Sequence, residues 1–429
     1  MNGCKQLISV AVSAALMALA GGAYGSGFQL IEQNSSGIGN AYAGQAAAAE
    51  NASTIFYNPA GMTQLPGKQV SGALHAIGPS VKFSDNGGSR SPTNQPEPAG
   101  GTNGGDAGGW AVTGNAYMSW QLSPQLWAGV GLSVPFGLKT EYDTTFIGRF
   151  QSQKAEIKTY DINPSIAFKI SDTVSIGGGL SYQHVDITLN RSFFAGVELP
   201  ESVDLDDNAI GWNVGAMFNV GPQTRIGLSY RSAMKYDLTG TVNISGFGAG
   251  SASASASVKL PDTYSLGISH ALSDKWQLLG DYTYTRWSTI QNVPLVLTSA
   301  GLGPLPAGTT ADTLDFQFNN TYRVGLGANY KWSQEFMLKL GTAYDRSPVP
   351  DAQHRTVFLP DSDRYWLGIG GKYQPSKPMA IDFGYAHLFV KDGDTSRNKG
   401  VGVAGAQGIV SGSYKNSVDI LSVQFTYSF

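Results

Sequence analysis

The chain has 429 residues, of which 41% are hydrophobic and 14% charged, with 55 glycines and a formal net charge of −3. Charges this sparse exclude a highly charged soluble protein and supply no basic field for nucleic acid. Past the N-terminus no stretch approaches the roughly 20 apolar residues of a membrane helix, so the remaining way to span a bilayer is a closed β-barrel, which the 20 Tyr, 19 Phe and 8 Trp suit.

At the N-terminus Lys5 precedes an apolar run from Leu7 to Ala20, followed by Gly21, Gly22, Ala23, Tyr24 and Gly25. Residues 1–25 read as a secretory signal peptide cut after Gly25. Cleavage removes Cys4, the only cysteine, so stability has to come from hydrogen-bonded architecture rather than disulfides. Residues 26–67 are rich in Ala, Gly and Asn and lack two-residue alternation. The segment is too small to fold alone, yet Phe28, Ile38, Tyr42, Ile55, Phe56 and Tyr57 call for burial. A plug packed in the lumen of a wide barrel satisfies both conditions, with Gly and Ala allowing close approach to the wall.

From residue 68 to 429 alternating runs recur. In the last one, Leu421, Val423, Phe425, Tyr427 and Phe429 share one face, while Ser422, Gln424, Thr426 and Ser428 share the other. In the same way Arg323 is placed inward between Tyr322 and Val324, and Arg364 and Trp366 inward beside Tyr365 and Leu367. Short turns are expected at Ser123 to Gln125, Ser171-Asp172, Gly221 to Gln223, Ser273-Asp274, Lys331 to Gln334 and Pro375 to Pro378. Long polar connections fall near 84–108, 139–154, 192–205, 245–250, 291–311, 346–360 and 391–413. Six short turns and seven long loops give about fourteen strands with both ends on the periplasmic side. Gly177, Gly178 and Gly179 sit inside a strand pattern and read as close packing against the wall rather than a phosphate loop.

Ser26-Gly-Phe-Gln-Leu30, Gly37-Ile-Gly-Asn-Ala-Tyr-Ala-Gly44 and the Asn58-Pro59-Ala60 segment resemble the N-terminal hatch of the FadL-type long-chain fatty acid outer-membrane transporters. Thr285-Arg-Trp-Ser288, Ser347-Pro-Val-Pro350 and Leu359-Pro-Asp-Ser-Asp-Arg364 extend the resemblance toward the C-terminus. It implies an all-β, transmembrane antiparallel barrel of fourteen strands, monomeric and without cofactor, in the bacterial outer membrane. It also implies passive uptake of hydrophobic molecules. Phe28, Asn58, Pro59 and Ala60 would belong to the moving hatch, and a wall opening for lateral release would lie at Pro135, Phe136 and Gly137. Proline lacks the ladder donor, which suits either such an opening or a strand that ends at the outer rim; the resemblance favours the opening.

A carboxylate head group inside the lumen requires a cation or hydrogen-bond donors. Arg191 resembles the head-group position of the family, with Phe193 and Phe194 beside it as tail contacts; the alternative is an ordinary loop-edge arginine. Arg323 is a second candidate, or a wall-stiffening arginine. Phe146, Ile147 and Phe150, together with Phe193, Phe194 and Val197, form either an outer capture groove or loop packing and lipopolysaccharide contact. Where some family members carry a lysine just before the strand of Arg323, this chain has Asn319 and Asn320, which leaves neutral aromatic or alkane hydrocarbons open as substrates. The expected partners are thus hydrophobic small molecules and outer-membrane lipid. An enzyme is disfavoured, since His75, His184, His270, His354 and His387 show no catalytic or metal spacing. A general diffusion porin would need an open bore lined by opposed charges.

Overall fold

The computed structural model describes residues 27–96, 100–246, 250–403 and 405–429; the signal peptide read at 1–25 lies outside them. Strand segments join in one antiparallel sheet that closes where the first strand pairs with the last, as at Ile77 and Ile420. Four barrel strands are interrupted, and fourteen result: β1 (Lys68–Asp85), β2 (Ala111–Ser123), β3 (Leu126–Ser133, then Gly137–Glu141), β4 (Lys154–Lys169), β5 (Val174–Phe194), β6 (Glu198–Val220), β7 (Thr224–Arg231, then Met234–Ile244), β8 (Gly250–Leu260, then Thr263–Ala271), β9 (Trp276–Thr285), β10 (Thr321–Lys331), β11 (Phe336–Asp345), β12 (Arg364–Ser376), β13 (Met379–Val390, then Gly393–Asn398) and β14 (Ile409–Ser428). A separate hairpin, Asn292–Leu297 with Thr310–Asp315, lies in an outer loop and docks on Ala254 and Ser255.

Alternation decides which face meets lipid. Leu326, Leu367 and Leu421 are exposed on the outside, whereas Arg323, Arg364 and Gln424 from the same strands are buried in the lumen. Rings on the outer surface form a belt, Trp212, Tyr230 and Tyr264 at one station and Tyr282, Tyr322, Tyr344 and Tyr365 at the next, as amphipathic aromatics do at a membrane boundary. Beyond that belt the same parity continues with its chemistry reversed. Val203 and Leu205 are buried inward while Asp204 and Asp206 face water. The polar stretch expected as a loop at 192–205 is therefore mostly strand, with Arg191 opposite Glu201 and Leu189 opposite Val203.

Residues 27–67 fill the lumen as short turns of helix at Ile38–Asn40, Gln45–Ala48, Thr54–Tyr57 and Pro59–Gln64. The wall admits this backbone because it carries glycine at the contacts. A Cβ at Gly341 would collide with Asn40, one at Gly227 with Ala46 and one at Gly177 with Ala60, which is the close approach read from the Gly177 run. Asn58 ties the hatch to the wall: its amide donates to the Ala46 carbonyl at 2.8 Å and to the Ala216 carbonyl on β6 at 3.0 Å. Its Oδ1 accepts from the Ala60 N–H at 3.1 Å, capping the turn that Pro59 begins.

Candidate functional site

Strand β3 is broken at Val134, Pro135 and Phe136. Its ladder to β4 runs as far as Ser133 opposite Asp161 and resumes with Gly137 opposite Lys158, while its ladder to β2 ends at Leu132 opposite Ala116. The outer half of β2, from Ala111 to Asn115, therefore keeps its partner on β1 but has none on β3 among the described residues. The wall opens there into a cavity of about 250 Å³, lined by Leu132, Ile162 and Tyr182 from the lipid face and by Asn115, Ser133 and Asp161 from the lumen face. Pro135 thus sits in a wall break and not at the rim.

The hatch occupies the backbone positions that the broken strand leaves free. The Leu30 N–H donates to the Pro135 carbonyl at 2.8 Å, the Gly137 N–H donates to the Phe28 carbonyl at 2.9 Å, and Gln29 and Phe136 form an antiparallel bridge. The Gln33 side-chain amide donates to the Val134 carbonyl at 2.8 Å. From the wall, the Thr159 hydroxyl accepts from the Phe136 N–H at 2.9 Å and donates to its carbonyl at 2.7 Å. The Phe28 ring lies 5.9 Å from Phe136 and 5.0 Å from Trp287, which also meets Phe318 at 5.8 Å. Phe28, Pro135, Phe136 and Gly137 are thus brought together. Trp287 was not singled out by sequence as a site residue, and only its place in the Thr285 to Ser288 motif pointed to it.

Glu32, in the same hatch segment, is 1% exposed, and among the described residues neither carboxyl oxygen has a hydrogen-bond partner. Burial pushes its carboxyl up to about 7, against the pull of Arg364 and Arg323. Below the break, a lumenal cavity of about 100 Å³ lies between hatch residues Leu30, Ile31, Tyr42, Phe56 and Tyr57 and the wall residues Arg231, Thr263, Asp281 and Arg323. Arg323 is occupied there: it donates to both oxygens of Asp281 at 3.1 and 3.2 Å and to the Ala41 carbonyl.

A second, outer cavity of about 80 Å³ is lined by Ile187, Leu189, Val203, Leu205, Leu238, Val293, Leu295 and Phe358, with Arg191 and Asp312 at its edge. Arg191 donates to Glu201 through Nε at 2.8 Å and Nη2 at 2.9 Å, and it also meets Asp312. Lys399 reaches Asp312 at 3.1 Å. Against the effect of burial, Arg191 and Lys399 hold the Asp312 carboxyl down at about 2. Phe193 and Phe194 do not line this cavity. They sit near the tip of the β5–β6 hairpin, Phe193 opposite Leu199, with Phe194 6.5 Å from Phe150. Phe146, Ile147 and Phe150 are buried in loop packing; Phe146 stacks on Tyr142 at 4.0 Å and meets Phe83 at 5.6 Å. Of the two arrangements read for this loop group, these three residues adopt loop packing, while Val197 stays exposed.

A plugged barrel with a lipid-facing exterior, apolar internal cavities and a break in its wall defines an outer-membrane channel for hydrophobic compounds. The chain belongs to the family described as outer membrane protein transport protein (OMPP1/FadL/TodX), whose model matches residues 16–429. It is 29% identical to outer membrane protein P1 of Haemophilus influenzae strain Rd, over 88% of this chain and 89% of that protein. It is 27% identical to a long-chain fatty acid transport protein of Salmonella typhi, over 88% of this chain and 91% of the relative. Its fold matches the crystal structure of a Pseudomonas aeruginosa FadL homologue with a TM-score of 0.85 at 23% identity, over 94% of this chain and 100% of that one.

Proposed function

We propose that this protein admits long-chain fatty acids across the outer membrane, taking them first into the outer cavity near Arg191, then into the cavity beside the hatch, and releasing them sideways at Pro135. The observation that carries this reading is the hatch standing in for the missing ladder of β3: the backbone of Leu30 on Pro135 and of Phe28 on Gly137, and the Gln33 side chain on Val134. A ligand that displaces residues 28–33 would also release the broken strand, so binding and wall opening share one mover. Such coupling is needed because capture is strong. At about 0.8 kcal/mol per methylene, a sixteen-carbon tail gains on the order of 10 kcal/mol, and a static site would hold its ligand. The Salmonella relative's name supports the substrate class.

The test is a reversible lock. Gln29 and Phe136 are bridge partners, whose Cα spacing of about 4.5–5.5 Å suits a disulfide. With Gln29→Cys and Phe136→Cys together, fatty-acid uptake by cells is expected to stop under oxidising conditions and return on reduction. Uptake that continues through the oxidised lock defeats the lateral route.

A second reading, uptake of neutral aromatic or alkane hydrocarbons, is favoured by the cluster around Arg191, where two cations already face two carboxylates. A head-group carboxylate could enter only by replacing one of them. Oleate and toluene uptake compared in Arg191→Ala decides the point. Loss of oleate uptake alone supports head-group recognition at Arg191, and toluene uptake without oleate uptake in the unmodified protein moves the assignment to hydrocarbons.

A further inference from the structure

Most lumenal cations near the hatch are matched by acids. Arg323 is paired with Asp281, Lys339 with Glu50 and Asp382, and Arg364 with Asp361. Arg231, at the break in β7, is different. Its Nη1 donates to the Ser181 hydroxyl at 3.2 Å and its Nη2 to the Phe56 carbonyl at 2.9 Å, and the guanidinium lies 4.3 Å over the Phe56 ring. Among the described residues no carboxylate stands within ion-pair distance of it; the nearest link is through Ser181, which donates to Asp161 at 3.4 Å. Two of its five N–H groups are thereby used.

A largely buried guanidinium without a contact anion is costly, and a bidentate carboxylate would offset that cost better than any neutral group. Arg231 also lines the lumenal cavity, whose hatch side offers Leu30, Ile31 and Phe56 to a hydrocarbon and whose wall side offers the hydroxyls of Thr263 and Ser265. We propose that Arg231 is the carboxylate-recognising residue of this inner cavity, a head-group site for hydrophobic monocarboxylates that is separate from the balanced cluster at Arg191. The proposal rests on the reading of the chain as a fatty-acid channel and assigns its inner specificity. Because the same guanidinium holds the Phe56 carbonyl, a ligand seated there competes directly with a hatch contact.

The experiment is equilibrium binding of radiolabelled oleate and of oleyl alcohol, which share a chain and differ in the head group, to detergent-purified protein carrying Arg231→Met, Arg231→Lys or Arg191→Met. Folding of each is checked by the heat-dependent electrophoretic shift of an intact barrel. Arg231→Met is expected to weaken oleate by about tenfold or more, the usual loss for a charged hydrogen bond, and to leave oleyl alcohol within about twofold. Arg231→Lys is expected to regain part of the loss, which keeps the test open should the Met variant fail to fold. Equal weakening of both ligands, unchanged oleate binding, or a charge-dependent loss only in Arg191→Met would each overturn the assignment. If the unmodified protein binds neither ligand, the long-chain fatty-acid reading of its substrate falls, and this assignment with it.

Discussion

Lys339 and Glu32 show two ways in which the lumen handles a buried charge. The Lys339 ammonium, on β11, donates to the Ser36 carbonyl at 2.8 Å, to Glu50 at 2.6 Å and to Asp382 at 3.3 Å, so it ties the hatch to two strands at once. Removing one member of such a cluster strands the others. Lys339→Met is expected to cost about 3–5 kcal/mol of hatch docking, read as faster proteolysis of residues 27–67 in a barrel that remains folded. Glu32 has no such partner among the described residues. Its folded pKa of about 7 lies above the ordinary 4.5, so the docked hatch retains a proton that a released hatch gives up. The contribution is then fully present below about pH 4.5 and is lost as the pH rises through 7, a change of roughly 3 kcal/mol. Hydrogen exchange of hatch amides, corrected for its intrinsic pH dependence, should show weaker protection at pH 8 than at pH 5, and Glu32→Gln should flatten that difference. Protection that strengthens with pH would contradict the buried, unpartnered carboxyl.

At the scale of the element, the hatch is shaped by what the wall omits. Gly227 faces the Ala46 carbonyl so closely that any side chain would displace the helical turn Gln45–Ala48. Gly227→Leu should leave barrel assembly intact, because its strand still pairs on both sides, and should expel the hatch, seen as higher ion conductance in planar bilayers. The barrel strands were legible because each residue of a spanning strand reports lipid or lumen by its own chemistry, as Leu421 and Ser422 do. Above the membrane that contrast reverses, so Ser202 to Leu205 read as loop although they continue β6. The cavities were legible only in part. Pro135 marked the break through its missing donor and Phe28 its cover through the resemblance, but the partners of Arg191 are Glu201, set opposite it by the register of the β5–β6 hairpin, and Asp312, brought in from a distant segment by loop docking. No local pattern carries that pairing. Phe146 and Phe150 looked like ligand contacts for a related reason, since an apolar loop residue reads the same whether it covers a ligand or another loop.

At the scale of the whole molecule, a diffusion porin and this barrel differ in where the lumen's volume goes. A barrel of this size can enclose an aqueous channel if nothing fills it. Here the hatch turns from Ile38 to Gln64 are almost wholly buried, and the described contacts seat them against every strand from β3 to β13. Wall and hatch also share hydrogen bonds from Asn58, Arg231, Lys339 and Gln33. An ion would have to break several of these contacts to pass, whereas a hydrophobic molecule that leaves through the wall at Pro135 has no need to cross the hatch. The intact protein is therefore expected to give little steady ion conductance in a planar bilayer while still delivering fatty acid, and the double cysteine lock at Gln29 and Phe136 should abolish delivery without changing that conductance. A large open-channel current from the intact protein would mean that the lumen, and not the wall, is the route. A lock that altered current and delivery together would mean that hatch and wall break do not act as separable barriers.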